Sequence, residues 1–281
     1  MLRALLAKLD GVPLHNEDVC VFLGDYVDRG EDSRAVIETL LEWRERRPDS
    51  IFLRGNHEQL MLDVRDAPDG TEQVERARLS LIWLQNGGSE TLLSYGVPGF
   101  REWFDVARPV LKRLPLDMLQ DLKDSFELWL DAIPEPHWQF LRDTEMEYVT
   151  ERYHFVHAGL LAPGQTWEAE GWSIDPRLWI REPFVSSRAD FGGRIVIFGH
   201  TPQGSGRPLI HSNKVGLDTG AVFGGPLTAA VFDPRPREGA PQPARTIQIP
   251  YIRAISSLLK TGPAQKPSAR RRASSARSSR K

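Results

Sequence analysis

Short apolar runs punctuate the chain: VCVFL at 19–23, SIFL at 50–53, YHFVH at 153–157 and RIVIFG at 194–199. They are rich in β-branched and aromatic residues and are bounded by turn-forming residues, a pattern that predicts buried strands. Between the first two lies a helical pattern, SRAVIETLLEWRERR, in which Val36, Ile37, Leu40 and Leu41 share one face. Asp32 or Ser33 is placed to cap it. Strand, helix and strand in that order, over about 35 residues, predict a βαβ unit. The opening residues MLRALLAKLDG carry Leu2, Leu5, Leu6 and Leu9 at helical spacing, so they predict an amphipathic helix packed on a domain.

Residues 59–150 differ in texture, with several helical stretches and Trp83, Trp103, Trp129 and Trp138, which are expected as core anchors. They predict a mostly helical insertion within a domain spanning 1–255. After residue 200, strand-like pieces alternate with Gly and Pro, as in GLDTGAVFGGPLTAAVF, and predict antiparallel strands closing the core. Residues 261–281 lack any large apolar side chain after Leu259 and are expected to be a disordered basic tail.

Composition narrows the class. The 281 residues, 40% of them hydrophobic, suffice for a sizeable core. The formal charge is −2, but seven Lys or Arg and no acid follow Gly262, so the rest of the chain carries −9. An acidic body argues against non-specific nucleic-acid binding. One cysteine, Cys20, excludes an intrachain disulfide and fits a reducing compartment. A run of roughly 20 apolar residues, as needed to span a bilayer, is missing. A cytoplasmic monomer is the expectation.

The chemistry sits where the predicted strands end. VCVFL runs into GDYVDRG (24–30), SIFL into RGNHE (54–58), YHFV into HAG (157–159) and RIVIF into GHT (199–201). In α/β sheets, ligands bind beyond the carboxyl ends of strands. The clusters offer Asp, Asn and His, a donor set suited to divalent Mn, Fe or Zn. A carboxylate such as Asp25 can bridge two cations, which about 4 Å apart can activate a water and clamp a phosphoryl group. Arg29 has a fork of donors shaped for phosphate oxygens. His57, oriented by Asp28, has the make-up of a general acid; the plainer alternative for Asp28 and Arg29 is a mutual ion pair in a turn.

GDYVDRG, RGNHE, HAG and GHT, in that order, resemble the phosphoprotein phosphatase (serine/threonine phosphatase type) family of calcineurin-like metallophosphoesterases, most closely its bacterial and phage branch. WLQNGGSETLLSYG (83–96), LWIREPF (178–184) and DTGAVFGGPLTA (218–229) resemble that branch too. The resemblance implies an α/β fold: a metallophosphoesterase four-layer-type β-sandwich flanked by helices. It implies that Asp25 bridges two metals, that Asn56, His157 and His200 complete one metal site, that His57 is the general acid paired with Asp28, and that Arg29 and Arg181 bind the phosphate. Mn is the implied metal, with Fe or Zn as alternatives. The family's opening strand carries Gly-Asp-x-His-Gly, which does not occur in this sequence. The expectation is therefore a missing first strand and an incomplete first metal site. Asp10 and His15 do not substitute, since they stand in a helix end and a loop.

The implied activity is a metal-dependent phosphomonoester hydrolase, a serine/threonine protein phosphatase using a metal-activated water. Its substrate would be a phosphoprotein or a phosphorylated small molecule, with no nucleic-acid or membrane partner. One alternative is a symmetrical dinucleoside polyphosphate hydrolase. Another, from the absent motif, is a phosphate-binding pseudoenzyme or impaired phosphatase.

Overall fold

The computed structural model describes residues 1–12, 18–68, 71, 73–109, 123–167, 175–233 and 243–251. The expected disordered tail, and His15, lie outside the described residues.

The first helix, α1 (Leu2–Asp10), buries Leu5 and Leu6 and packs Leu5 and Leu9 against Ile247 and Ile249. Strand β1 (Val21–Phe22) pairs in parallel with β2 (Ile51–Phe52), and the rings of Phe22 and Phe52 stack 4.8 Å apart. Each ladder is shorter than its apolar run. The chain leaves the first at Gly24, whose φ of 92° is incompatible with a continuing strand. Helix α2 (Ser33–Arg46) connects them, capped by the Asp32 carboxylate, which accepts the Ala35 amide at 3.0 Å. Its buried face holds Ile37 and Leu40 as expected, with Trp43 besides, while Val36 and Leu41 lie half-buried at its edges.

Helices follow: α3 (Asn56–Arg65), α4 (Gln73–Trp83), a π-helical turn (Leu84–Gly88), α5 (Ser89–Ser94), α6 (Phe100–Ala107), α7 (Lys123–Asp131) and α8 (Glu135–Arg142). Trp83, Trp129 and Trp138 are buried, and Trp103 packs half-buried on Phe100 and Trp129. These residues share one core cluster with α2, β1 and β2, so the helical layer and the βαβ unit bury each other's apolar faces.

The main sheet then forms from β3 (Glu147–Val149), β4 (Tyr153–Val156), β5 (Ile195–Phe198), β6 (Leu209–Ile210) and β7 (Lys214–Gly216), in the order β3-β4-β5-β7-β6. The β4-β5-β7 pairings are parallel and the outer two antiparallel. Every residue of β5 is buried, as its unbroken apolar run requires of a strand covered on both faces. A short helix, α9 (Pro176–Trp179), precedes the segment that carries Arg181. Finally β8 (Leu227–Val231) and β9 (Arg245–Ile249) form an antiparallel pair.

Candidate active site

The loops after β1, β2, β4 and β5 meet. His157 is the hub. Its Nδ1–H donates to the Leu23 carbonyl at 2.6 Å, which leaves Nε2 with a lone pair. That Nε2 lies 3.2 Å from Asn56 Oδ1, 3.2 Å from His200 Nδ1 and 3.4 Å from Asp25 Oδ1. Four residues from four strand ends thus present ligand atoms to one another.

The loops touch because their glycines allow it. A Cβ on Gly24 would sit 2.6 Å from the Gly55 amide and 2.7 Å from His157 Nδ1. Among the described residues, Asp25, Asp28, Arg29 and His200 are the non-glycine residues with positive φ, at 59°, 72°, 59° and 60°. Each such conformation costs on the order of 1–3 kcal/mol and persists only where its surroundings enforce it.

Glu58 does much of the enforcing. Its fully buried carboxylate accepts the amides of Asp25 at 2.8 Å, Tyr26 at 2.7 Å, Val27 at 3.3 Å and Gly55 at 2.8 Å. It stands at the third residue of α3, where an acid reaching back to the preceding amide is favoured. Glu58, the fifth residue of RGNHE, stands two positions after the metal-ligand candidate Asn56 in sequence and is a loop clamp in space; sequence reading gave it no role.

The second constellation is buried behind Arg29. His57 Nδ1 lies 2.8 Å from Asp28 Oδ2. The other Asp28 oxygen accepts Trp83 Nε1–H at 3.1 Å and the Thr91 hydroxyl at 2.7 Å, while the Asp28 amide donates to Thr91 Oγ1 at 2.9 Å. Burial raises the Asp28 carboxyl above the usual carboxylate range, and the bonds from His57, Thr91 and Trp83 oppose that rise. Burial alone would push the His57 imidazole down, but its bond to Asp28 and the charges of Asp25 and Asp28 lift it above the usual histidine value. The mutual ion pair of Asp28 and Arg29 does not form among the described residues. Arg29 instead donates Nε–H to the Asn86 carbonyl at 3.1 Å and its amide to the Gly87 carbonyl at 3.2 Å. Its guanidinium is exposed. Trp83, Asn86 and Thr91 belong to WLQNGGSETLLSYG, so that segment's contribution is to hold Asp28 and Arg29. Only its proximity in space discloses this.

Arg181 is exposed beside the cluster, with its guanidinium 3.3 Å from the His200 carbonyl. Asp218, which sequence reading did not single out, is near enough to feel Asp25, His157 and Arg181; burial, with Asp25 adding to it, raises its carboxyl. Other histidines stand elsewhere. His154 turns away and pairs with Glu147 at 2.7 Å, as strand alternation predicts. His137 is buried on α8 against the Tyr95 hydroxyl at 2.8 Å, since apolar Trp138, Phe140 and Leu141 drive that segment inward as a helix. His211 is in a loop against Arg188.

A divalent cation fits the first cluster. His157 Nε2, Asn56 Oδ1 and Asp25 Oδ1 are all acceptors, and acceptors repel at this spacing unless a positive charge lies among them. Burial, against the opposing pull of Asp25, holds His200 down to about 3, so it is neutral and its Nδ1 can ligate. His200 Nε2 is buried with no hydrogen-bond partner. Among the described residues, Asp25, His157 and His200 form the group of acid and imidazole side chains able to hold a metal ion.

The profile of the family described as calcineurin-like phosphoesterase matches residues 1–215. A Salmonella typhimurium protein named serine/threonine-protein phosphatase 1 is 29% identical over 216 residues, covering 76% of this chain and 78% of that one. A Bacillus mycoides protein named bis(5'-nucleosyl)-tetraphosphatase PrpE (asymmetrical) is 25% identical over 228 residues, covering 78% and 77%. A solved structure described as a candidate diadenosine tetraphosphatase overlays with a TM-score of 0.43 at 19% identity over 90% of each chain, too distant to argue from.

Proposed function

The chain belongs to the calcineurin-like phosphoesterase family, and on that premise we propose that it hydrolyses phosphomonoesters, with phosphoserine and phosphothreonine in proteins as its substrates. The observation that supports this reading is the pairing of an acceptor-only cluster with a carboxylate-held imidazole, flanked by two exposed arginines.

In this reading Asp25, Asn56, His157 and His200 hold a divalent cation, manganese in the first instance, with iron or zinc suited to the same donors. A second ion would also draw on the Asp25 carboxylate. A bound cation supplies Lewis acidity, which polarises a phosphoryl oxygen and makes water nucleophilic near neutral pH. The remaining work falls to the protein. Arg29 and Arg181 bind and orient the non-bridging phosphoryl oxygens. His57, with Nδ1–H fixed on Asp28, presents Nε2–H to the leaving oxygen and donates that proton as the P–O bond breaks. Asp28 stabilises the charged imidazole before transfer, and Trp83 and Thr91 keep its carboxylate turned toward the ring. The attacking water forms a new P–O bond as the ester P–O bond breaks, one water proton is given up to solvent and His57 is reprotonated from solvent, leaving phosphate and the free serine or threonine hydroxyl. We further take the protein to be a cytoplasmic monomer; no helix among the described residues is long and apolar enough to cross a membrane.

The second reading, hydrolysis of a dinucleoside polyphosphate, draws its support from the Bacillus mycoides relative. The two are separated by turnover of the manganese-loaded protein on a phosphoserine peptide and on dinucleoside tetraphosphate, side by side. A higher kcat/KM on the peptide is expected. A higher value on the dinucleotide would replace the first reading by the second.

A further inference from the structure

Lys214, the first residue of β7, is fully buried in the main sheet. Its ammonium lies 4.3 Å from the centre of the Phe184 ring and 5.5 Å from that of Phe191. No carboxylate lies within ion-pair distance of it among the described residues. A charged group in such a place costs free energy that an aliphatic side chain would not, and it persists where its donors meet a need that carbon cannot.

The need is visible in the chain it faces. Residues 181–187 form a compact turn, with the Val185 amide bonded to the Arg181 carbonyl at 2.8 Å and the Ser187 amide to the Pro183 carbonyl at 3.0 Å. The Phe184 and Ser187 carbonyls point out of that turn into the protein. Both accept from Lys214 Nζ, the second at 2.8 Å. The neighbouring Asn213 Nδ2 donates to the Ala189 carbonyl at 2.8 Å and to the Ser187 carbonyl at 3.4 Å. Phe184 lies so close over Gly159, of the HAG segment, that a Cβ there would overlap its ring. The turn is therefore anchored below by Lys214 and against the strand-end loops by Phe184. At its head stands Arg181, bonded to the His200 carbonyl.

We propose that Lys214 is a positioning residue for phosphate binding: by holding the Phe184 and Ser187 carbonyls it fixes the 181–187 turn, and through that turn the Arg181 guanidinium. The inference rests on the reading of Arg181 as a phosphate ligand. Burial and the nearby Arg188 pull the Lys214 ammonium down to about 8, with Glu182 partly opposing them. This agrees with a group held for its donors rather than for an ion pair.

The test uses the full chain, loaded with manganese, and its affinity for inorganic phosphate by titration calorimetry, with kcat and KM on p-nitrophenyl phosphate alongside. The variants are Arg181→Ala, Lys214→Met and the pair combined. Arg181→Ala is expected to weaken phosphate by about tenfold, the loss of one charge-assisted contact. Lys214→Met should weaken it by several-fold to about tenfold, and KM should follow. In the Arg181→Ala background, Lys214→Met should weaken it no further. A merely structural lysine would not show that dependence on Arg181. An unchanged phosphate affinity in Lys214→Met, or an equal loss in both backgrounds, overturns the inference while leaving Arg181 as a ligand. An unchanged affinity in Arg181→Ala overturns the reading of Arg181 itself, and the inference falls with it. Should Lys214→Met not fold, Asn213→Ala loosens the same turn more gently and is read in the same two backgrounds, by the same criteria.

Discussion

The two halves of the site are built on opposite principles. The cluster of Asp25, Asn56, His157 and His200 brings acceptors face to face, and its own side chains do not supply the positive charge that would reconcile them. The dyad of His57 and Asp28 is complete within the protein, every carboxylate oxygen having its donor. The first half comes almost wholly from strand ends. The second is closed by Trp83 and Thr91, from the helical layer. The comparison teaches that one half presents acceptors a cation would reconcile while the other is folded into place by packing, so damage to each should read out differently.

The sharpest way to break this division is His57→Asn. It should lower kcat by about 10²–10⁴-fold, the usual worth of a general acid, and leave metal binding unchanged. Loss of metal along with activity would show that the two halves are not separable. Next in size is the cation's own effect on stability. Manganese at a hundredfold over its Kd should stabilise the folded protein by about 2.7 kcal/mol. In a melting experiment that gain should vanish in His200→Ala, whereas His57→Asn should retain it. An undiminished thermal shift in His200→Ala would mean the ion is held elsewhere. Smallest is Thr91→Ala, which takes one donor from Asp28 and should cost about 1–3 kcal/mol of stability. Its kcat should fall by less than that of His57→Asn, with manganese affinity intact. A change in manganese affinity would show the helical layer reaching into the metal half.

Much of the site is readable in one dimension because its residues follow strands directly. Asp25, Asn56, His157 and His200 each stand within three residues of the end of an apolar run, and the carboxyl ends of strands are where such residues gather, here from the β1-β2 pair and from the main sheet. The residues that sequence reading passed over have no such marker. Glu58 looks like an ordinary charged residue near a helix start, yet it is the buried acceptor for four backbone amides. Thr91 is 63 positions from Asp28, and Lys214 is 30 from Phe184, so neither pairing leaves a local pattern. His137 stands on a helix only eight residues long that opens just after Pro134, a turn signal by itself, so its burial leaves little local pattern.

By itself the sequence determined the strands, the helix between the first two, and the chemical identity of the groups that meet beyond their ends. Those follow from periodicity and residue type, which are local properties. Only the tertiary structure decided which oxygen of Asp28 faces His57, which carbonyl steadies His157 and what holds the turn bearing Arg181. Such choices depend on which donor lies within about 3 Å of which acceptor. That distance is set by the packing of segments far apart in the chain, and no spacing along the sequence encodes it.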